Sequence, residues 1–151
     1  MDQQAPKFAN HVIVMRHAHP LEQFAGSDFD RPLSPKGRVA ARQAALALHS
    51  AGHHPGPLLV SAALCARQTA EILAGELNIP GDDIYVTEVL YGAPPEVLEA
   101  RIRVLAVPYT LVTLIGHHPE VTDLARFLAR EPGAPALEPA EWRYLPWPPP
   151  T

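Results

Sequence analysis

The chain of 151 residues has a single cysteine, Cys65, so no internal disulfide can form and no cysteine cluster can hold a metal. Its eight histidines also lack metal-site spacing. His17 and His19 lie two apart, while His53-His54 and His117-His118 are adjacent pairs, and none forms the i, i+4 pair of a helical HExxH site. No metal is expected. Long apolar runs are missing as well, since nothing approaches the ~18 residues that a membrane helix needs. The opening MDQQAPKFANH has none of the basic, apolar and cleavage-site order of a secretory signal. Together these absences predict a soluble, cytoplasmic protein with no membrane partner. An excess of positive charge is lacking too, because the formal net charge is −4 and there is no polybasic run. This argues against nucleic acid as a partner, and any anionic ligand must be held by a few local groups.

What is present fits one domain, with 47% hydrophobic residues to supply a core. Three apolar runs, VIVM from 12 to 15, LLV from 58 to 60 and LVTLIG from 111 to 116, read as strands buried on both faces of a parallel sheet. Helical patterns separate them. PKGRVAARQAALALHSAG has Ser34 as N-cap and Pro35 at the first helical position, and ends near Gly52. SAALCARQTAEILAGEL takes Ser61 as its N-cap, and PPEVLEARIRVLA and PEVTDLARFLAR complete the set. Strands alternating with helices predict an α/β protein, a three-layer α/β/α sandwich around a mainly parallel sheet. Residues 1–131 form that domain, and the proline-rich tail 132–151 is expected to be peripheral and extended.

Each of the three strands runs into polar residues: Arg16-His17, Ser61 and His117-His118. Parallel strands point the same way, so these groups can meet at the carboxyl edge of the sheet, where open α/β sheets bind ligands. Arg16 and His17 share a pocket only if the strand ends between them, because neighbours on a strand face opposite sides. The long polar loop HPLEQFAGSDFDRPLSP follows the first strand and is placed to cover such a site. His53 and His54, beside Gly52 and Pro55, belong to a solvated helix-to-strand loop.

VMRHA at 14–18 resembles the RHG signature of the histidine phosphatase superfamily, with Ala18 in place of its glycine. RPLSPKG at 31–37, LVSAALCARQTA at 59–70 and LIGHHP at 114–119 continue the likeness in order, most closely to the short SixA-like phosphohistidine phosphatases of this phosphoglycerate mutase-like group. The resemblance implies a cofactor-independent phosphatase. His17 would be the nucleophile, Arg16 a phosphate-binding fork and His117 the second catalytic histidine. The substrate class it implies is a phosphorylated protein, phosphohistidine first, or a small phosphorylated metabolite.

The main departure is Cys65, at the position of a phosphate-binding arginine in the family block. Losing that cation could cost on the order of 3 kcal/mol, roughly a hundredfold in rate. Two readings follow: a weakened phosphatase, or a phosphate-binding module without turnover. Arg67 lies about 200° around the helix from residue 65 and replaces the lost charge only if the backbone shifts. His19 is a second candidate for part of that charge. Cys65 is not itself a phosphatase nucleophile of the C-x5-R type, since the sixth residue after it is Glu71. For the general acid, Glu88 in YVTEVLYG is the positional candidate, and phosphohistidine, with its good leaving group, could dispense with one. His118, where the family commonly has asparagine, is expected to bond locally.

Overall fold

Among the described residues nine α-helices and β-strands follow one another: β1 (His11–Arg16), α1 (Pro35–Ser50), β2 (Leu58–Ser61), α2 (Leu64–Leu77), β3 (Ile84–Thr87), α3 (Pro95–Ala106), β4 (Leu111–Gly116), α4 (Glu120–Ala129) and β5 (Trp142–Pro146). The computed structural model describes residues 11–106 and 111–147, so most of the opening segment read for a signal and the last four residues of the tail lie outside the described residues. The five strands form one sheet in the order β3-β2-β4-β1-β5. The first four are parallel and β5 is antiparallel to β1.

β1 shows why an unbroken apolar run suits this position. Val12 and Val14 pack on one face with Leu98 and Ile102 of α3 and Leu124 and Leu128 of α4. Ile13 and Met15 pack on the other with Ala41, Ala45 and Leu48 of α1 and Leu73 of α2. Alternate side chains thus enter two cores on opposite sides of the sheet, which gives three layers. Small residues on α1 and α2, including Ala41, Ala45, Ala66 and Ala70, fill the contact between these helices.

Local chemistry fixes the helix ends. Ser34 Oγ accepts the Gly37 amide at 3.0 Å and Pro35 occupies the first turn, so α1 starts where its residues predict. Gly37 must be glycine, because a Cβ there would collide with the His19 carbonyl. α2 differs from expectation. It begins at Leu64 with Ala63 as N-cap, and Ser61 instead closes β2. The Ser61 hydroxyl bonds His117 and accepts only a long 3.4 Å bond from the Ala63 amide.

The described part of the proline-rich tail, up to Trp147, is not peripheral. Trp142 to Pro146 pair with Met15 to His11, and Leu137, Leu145 and Trp147 are buried in the core shared with α3 and α4. The prolines allow this because β5 is an edge strand, where a missing N–H on the outer side or at a strand end breaks no ladder. His53, in the loop before β2, stacks on Tyr144 with centroids 4.1 Å apart, tying that loop to the new edge. Among the described residues no helix is long and apolar enough to cross a membrane.

Candidate active site

β1 and β4 pair in register, Arg16 opposite Gly116, so the next residue of each strand is a histidine. The His17 amide donates to the Gly116 carbonyl at 2.9 Å, which holds the two chain ends together. Their rings meet edge-on with centroids 5.2 Å apart and planes at 63°. His17 Nδ1 lies 2.7 Å from the Ala18 carbonyl, so this nitrogen carries the hydrogen and Nε2 keeps its lone pair. Burial is the main cause that drops the His17 pKa to about 4, with the neighbouring His117 and Arg16 adding to it. Burial also lowers that of His117. Near pH 7 both rings are neutral.

Each of these side chains is held by residues from several elements. Ser61, wholly buried at the end of β2, places its Oγ 2.7 Å from His117 Nε2, and Tyr91 packs edge-on against the same ring at 4.9 Å. Thr69 of α2 links the helix to the signature segment, since its Oγ1 accepts the Ala18 amide at 3.0 Å and donates to the Cys65 carbonyl at 2.8 Å. Gln68 Oε1 accepts the Leu33 amide at 2.8 Å and anchors the covering loop. The tail contributes directly: Arg16 Nη1 donates to the Leu137 carbonyl at 3.0 Å. Arg16 Nε is buried and makes no hydrogen bond to the protein.

These groups border a cavity of about 430 Å³ lined by Arg16, His17, Cys65, His117 and His118, with Asp28 and Arg31 from the loop after β1 and Tyr91, Gly92 and Glu120 across from them. Arg16 and His17 share it because β1 ends at Arg16. Cys65 is buried, and burial pushes its thiol up to about 11. One donor atom each from His17, Cys65 and His117 lie within 4.8 Å of one another. Linear spacing gave no metal pattern, yet the tertiary fold assembles a three-donor cluster. His118 lines the rim with Nδ1 3.2 Å from Thr122 Oγ1.

Three expected residues lie elsewhere. Glu88 is exposed on the 3-10 turn after β3 and does not border the cavity, because that turn buries Leu90 and brings Tyr91, not residue 88, against His117. Asp28 and Glu120 are the carboxylates that border it. Arg67 donates its Nε to the Ala62 carbonyl at 2.8 Å and does not replace a cation at residue 65. His19 bonds Ser34 Oγ through Nδ1 at 2.9 Å and faces Glu22 through Nε2 at 3.4 Å, away from the cavity lining. Asp28, Tyr91 and Glu120 carry little signal in the sequence. The only signals were the length of the polar loop for Asp28 and, for Glu120, an acidic first helical turn three residues after His117.

A mainly parallel sheet between helix layers, with two buried histidines and an arginine at its carboxyl edge, is an architecture of the phosphoglycerate mutase-like kind. The chain belongs to the histidine phosphatase superfamily (branch 1), whose family model matches residues 12–90. An uncharacterized protein of Picosynechococcus sp. is 34% identical over 122 residues, which cover 81% of this chain and 71% of that relative. The protein histidine phosphatase SixA, solved in complex with tungstate, superposes with a TM-score of 0.76 at 29% identity over 86% of this chain and 83% of the other. The mycobacterial glucosyl-3-phosphoglycerate phosphatase shares the fold, with a TM-score of 0.66 at 17% identity over 90% and 89% of the two chains. The chain is SixA-like within a superfamily of phosphatases.

Proposed function

We propose that the protein is a metal-independent phosphohydrolase working through phospho-His17, with phosphohistidine on a protein as its first substrate class and small phosphate esters as the second. The carrying observation is the buried His17 ring, anchored through Nδ1 to the Ala18 carbonyl and kept neutral down to about pH 4. In this reading Nε2 attacks phosphorus in line, the bond from phosphorus to the leaving oxygen or nitrogen breaks, and water then hydrolyses the phosphoryl imidazole. Arg16 supplies charge, and its unpartnered Nε is a donor suited to a phosphoryl oxygen. Asp28 and Glu120 are the acids placed to protonate a leaving group or to orient water. The tungstate complex of the SixA relative is consistent with a tetrahedral oxyanion in this kind of pocket.

Cys65 favours a second reading, a binding module for phosphorylated proteins or metabolites that turns over slowly or not at all. A neutral thiol stands where the family block has a cation, and Arg31 is already bonded to Asp28 Oδ1 at 3.0 Å and to the Leu21 carbonyl at 2.8 Å. Rapid-quench labelling with a phosphoramidate donor, followed by mass mapping of acid-labile phosphate, separates the two. Label on His17 that appears and decays, and is absent from His17→Ala, supports the enzyme. A wild type that binds phosphate but never labels establishes the module.

A further inference from the structure

The replacement of a phosphate-binding arginine by cysteine changes what the pocket can hold. An arginine at residue 65 would repel a cation, whereas Cys65 adds a soft donor beside two imidazoles. We propose that His17, Cys65 and His117 form a binding site for a borderline-soft divalent cation, Zn2+ foremost, and that this ion and the phosphoryl group compete for the same pocket.

Geometry carries the proposal. The donor atoms of the three side chains lie within 4.8 Å of one another, and all three residues are buried. Tetrahedral zinc with Zn–N near 2.0 Å and Zn–S near 2.3 Å needs donors roughly 3.3–3.6 Å apart, so side-chain shifts of about 1 Å close the set. Two imidazoles and a thiolate suit zinc and other late transition metals, and disfavour magnesium and calcium, which take oxygen donors. Three protein donors with the fourth direction open to a cavity is the pattern of an accessible zinc site, as opposed to a closed structural one.

The surroundings are independent support. A histidine that binds a metal through one nitrogen is normally oriented by a hydrogen bond from the other. Both rings have that second contact: His17 Nδ1 at 2.7 Å from the Ala18 carbonyl, and His117 Nε2 at 2.7 Å from Ser61 Oγ. In the tautomer whose Nε2 hydrogen is donated to Ser61 Oγ, His117 has on Nδ1 the lone pair that the ion requires. The lining also holds as many carboxylates as guanidiniums, Asp28 and Glu120 beside Arg16 and Arg31, and Arg31 is paired with Asp28 at 3.0 Å. On binding, a sulfur–metal bond replaces the thiol S–H bond and the proton leaves to solvent. The metal then occupies the lone pair of His17 that would attack phosphorus, so metal binding and phospho-His17 exclude one another.

The test uses untagged full-length chain. Zn2+ is titrated against a chromophoric chelator, and Co2+ is added separately to record its electronic spectrum. One ion per chain, a thiolate-to-cobalt charge-transfer band in the wild type, loss of that band in Cys65→Ser, and an apparent Kd for Zn2+ raised about a hundredfold in Cys65→Ser and His117→Asn support the site. Thermal melts of the metal-free variants verify that they fold, and if one does not, the other variant and the cobalt band of the wild type still decide. Absence of the band, or equal affinity in wild type and folded variants, overturns the proposal. Inorganic phosphate or tungstate should weaken Zn2+ binding in proportion to its concentration, and independence from these anions overturns the competition. The titrations need no turnover, so they stand or fall separately from the phosphatase reading, which labelling in the presence of chelator tests.

Discussion

His17 and His117 meet edge-on, with ring centroids 5.2 Å apart, because each is the first residue beyond one of two paired parallel strands. Ser61, at the end of the strand on the other side of β4, hydrogen-bonds the His117 ring. Three consecutive strand ends therefore build the centre of the site. These contacts, with the bond from His17 Nδ1 to the Ala18 carbonyl, fix how the two rings are oriented.

Replacing Ser61 by alanine should disturb that orientation. It removes the partner of a buried ring nitrogen, at a cost of about 1–3 kcal/mol. The expected outcome is a fall of about tenfold in kcat/KM for a phosphoramidate substrate. His117→Ala, measured in parallel, should lose more, and equal rates for Ser61→Ala and wild type would remove Ser61 from the positioning of His117.

Restoring the family arginine should raise turnover. Cys65 borders the cavity and is buried, so in Cys65→Arg a guanidinium would project toward the reacting group. An increase of roughly a hundredfold in kcat/KM is expected. The larger side chain should also destabilise the fold by about 1–3 kcal/mol through overpacking, visible as a lower melting temperature. An unchanged rate in a folded variant would mean that the missing cation does not limit the reaction.

The buried histidine gives stability a defined dependence on pH. His17 has a folded pKa of about 4 against 6.5 when unfolded, so between these values the unfolded chain binds more protons. Its contribution is fully present above pH 6.5 and is lost as pH falls toward 4, on the order of 3 kcal/mol in total, with His117 acting in the same direction. Denaturant titrations across this range should show stability falling with acid, and His17→Asn should flatten part of the slope. A profile identical in the variant would contradict the burial of a neutral ring.

The tail should be indispensable to the fold. Removing residues 137–151 deletes β5, takes Leu137, Leu145 and Trp147 out of the core, and strips Arg16 of the carbonyl that holds its Nη1. Loss of cooperative unfolding is expected for this truncation. The milder Leu137→Ala keeps the carbonyl and should cost about 2–5 kcal/mol. A truncated chain that melts like the full one would return the tail to the periphery.

The sequence by itself determined the mainly parallel architecture and that His17 and His117 each follow one of its strands. β-branched runs between helical patterns leave few alternatives to a parallel sheet, and the Ser34-Pro35 pair sets the start of α1 through capping chemistry that acts within four residues. Strand direction then brings Arg16, His17 and His117 to one edge. Tertiary structure decided what depends on contacts distant in the chain. Whether WRYLP pairs with β1 rests on the open edge of the sheet and the apolar surface beneath it, and local composition rich in proline points the other way. Glu88 looked well placed along the chain, but burial of Leu90 turns it to solvent, while Asp28 and Glu120 come to the cavity from a loop and a helix start that carry no periodic signal. The cluster of His17, Cys65 and His117 draws on β1, α2 and β4, and only the packing of the helix against both strand ends brings its three donors together.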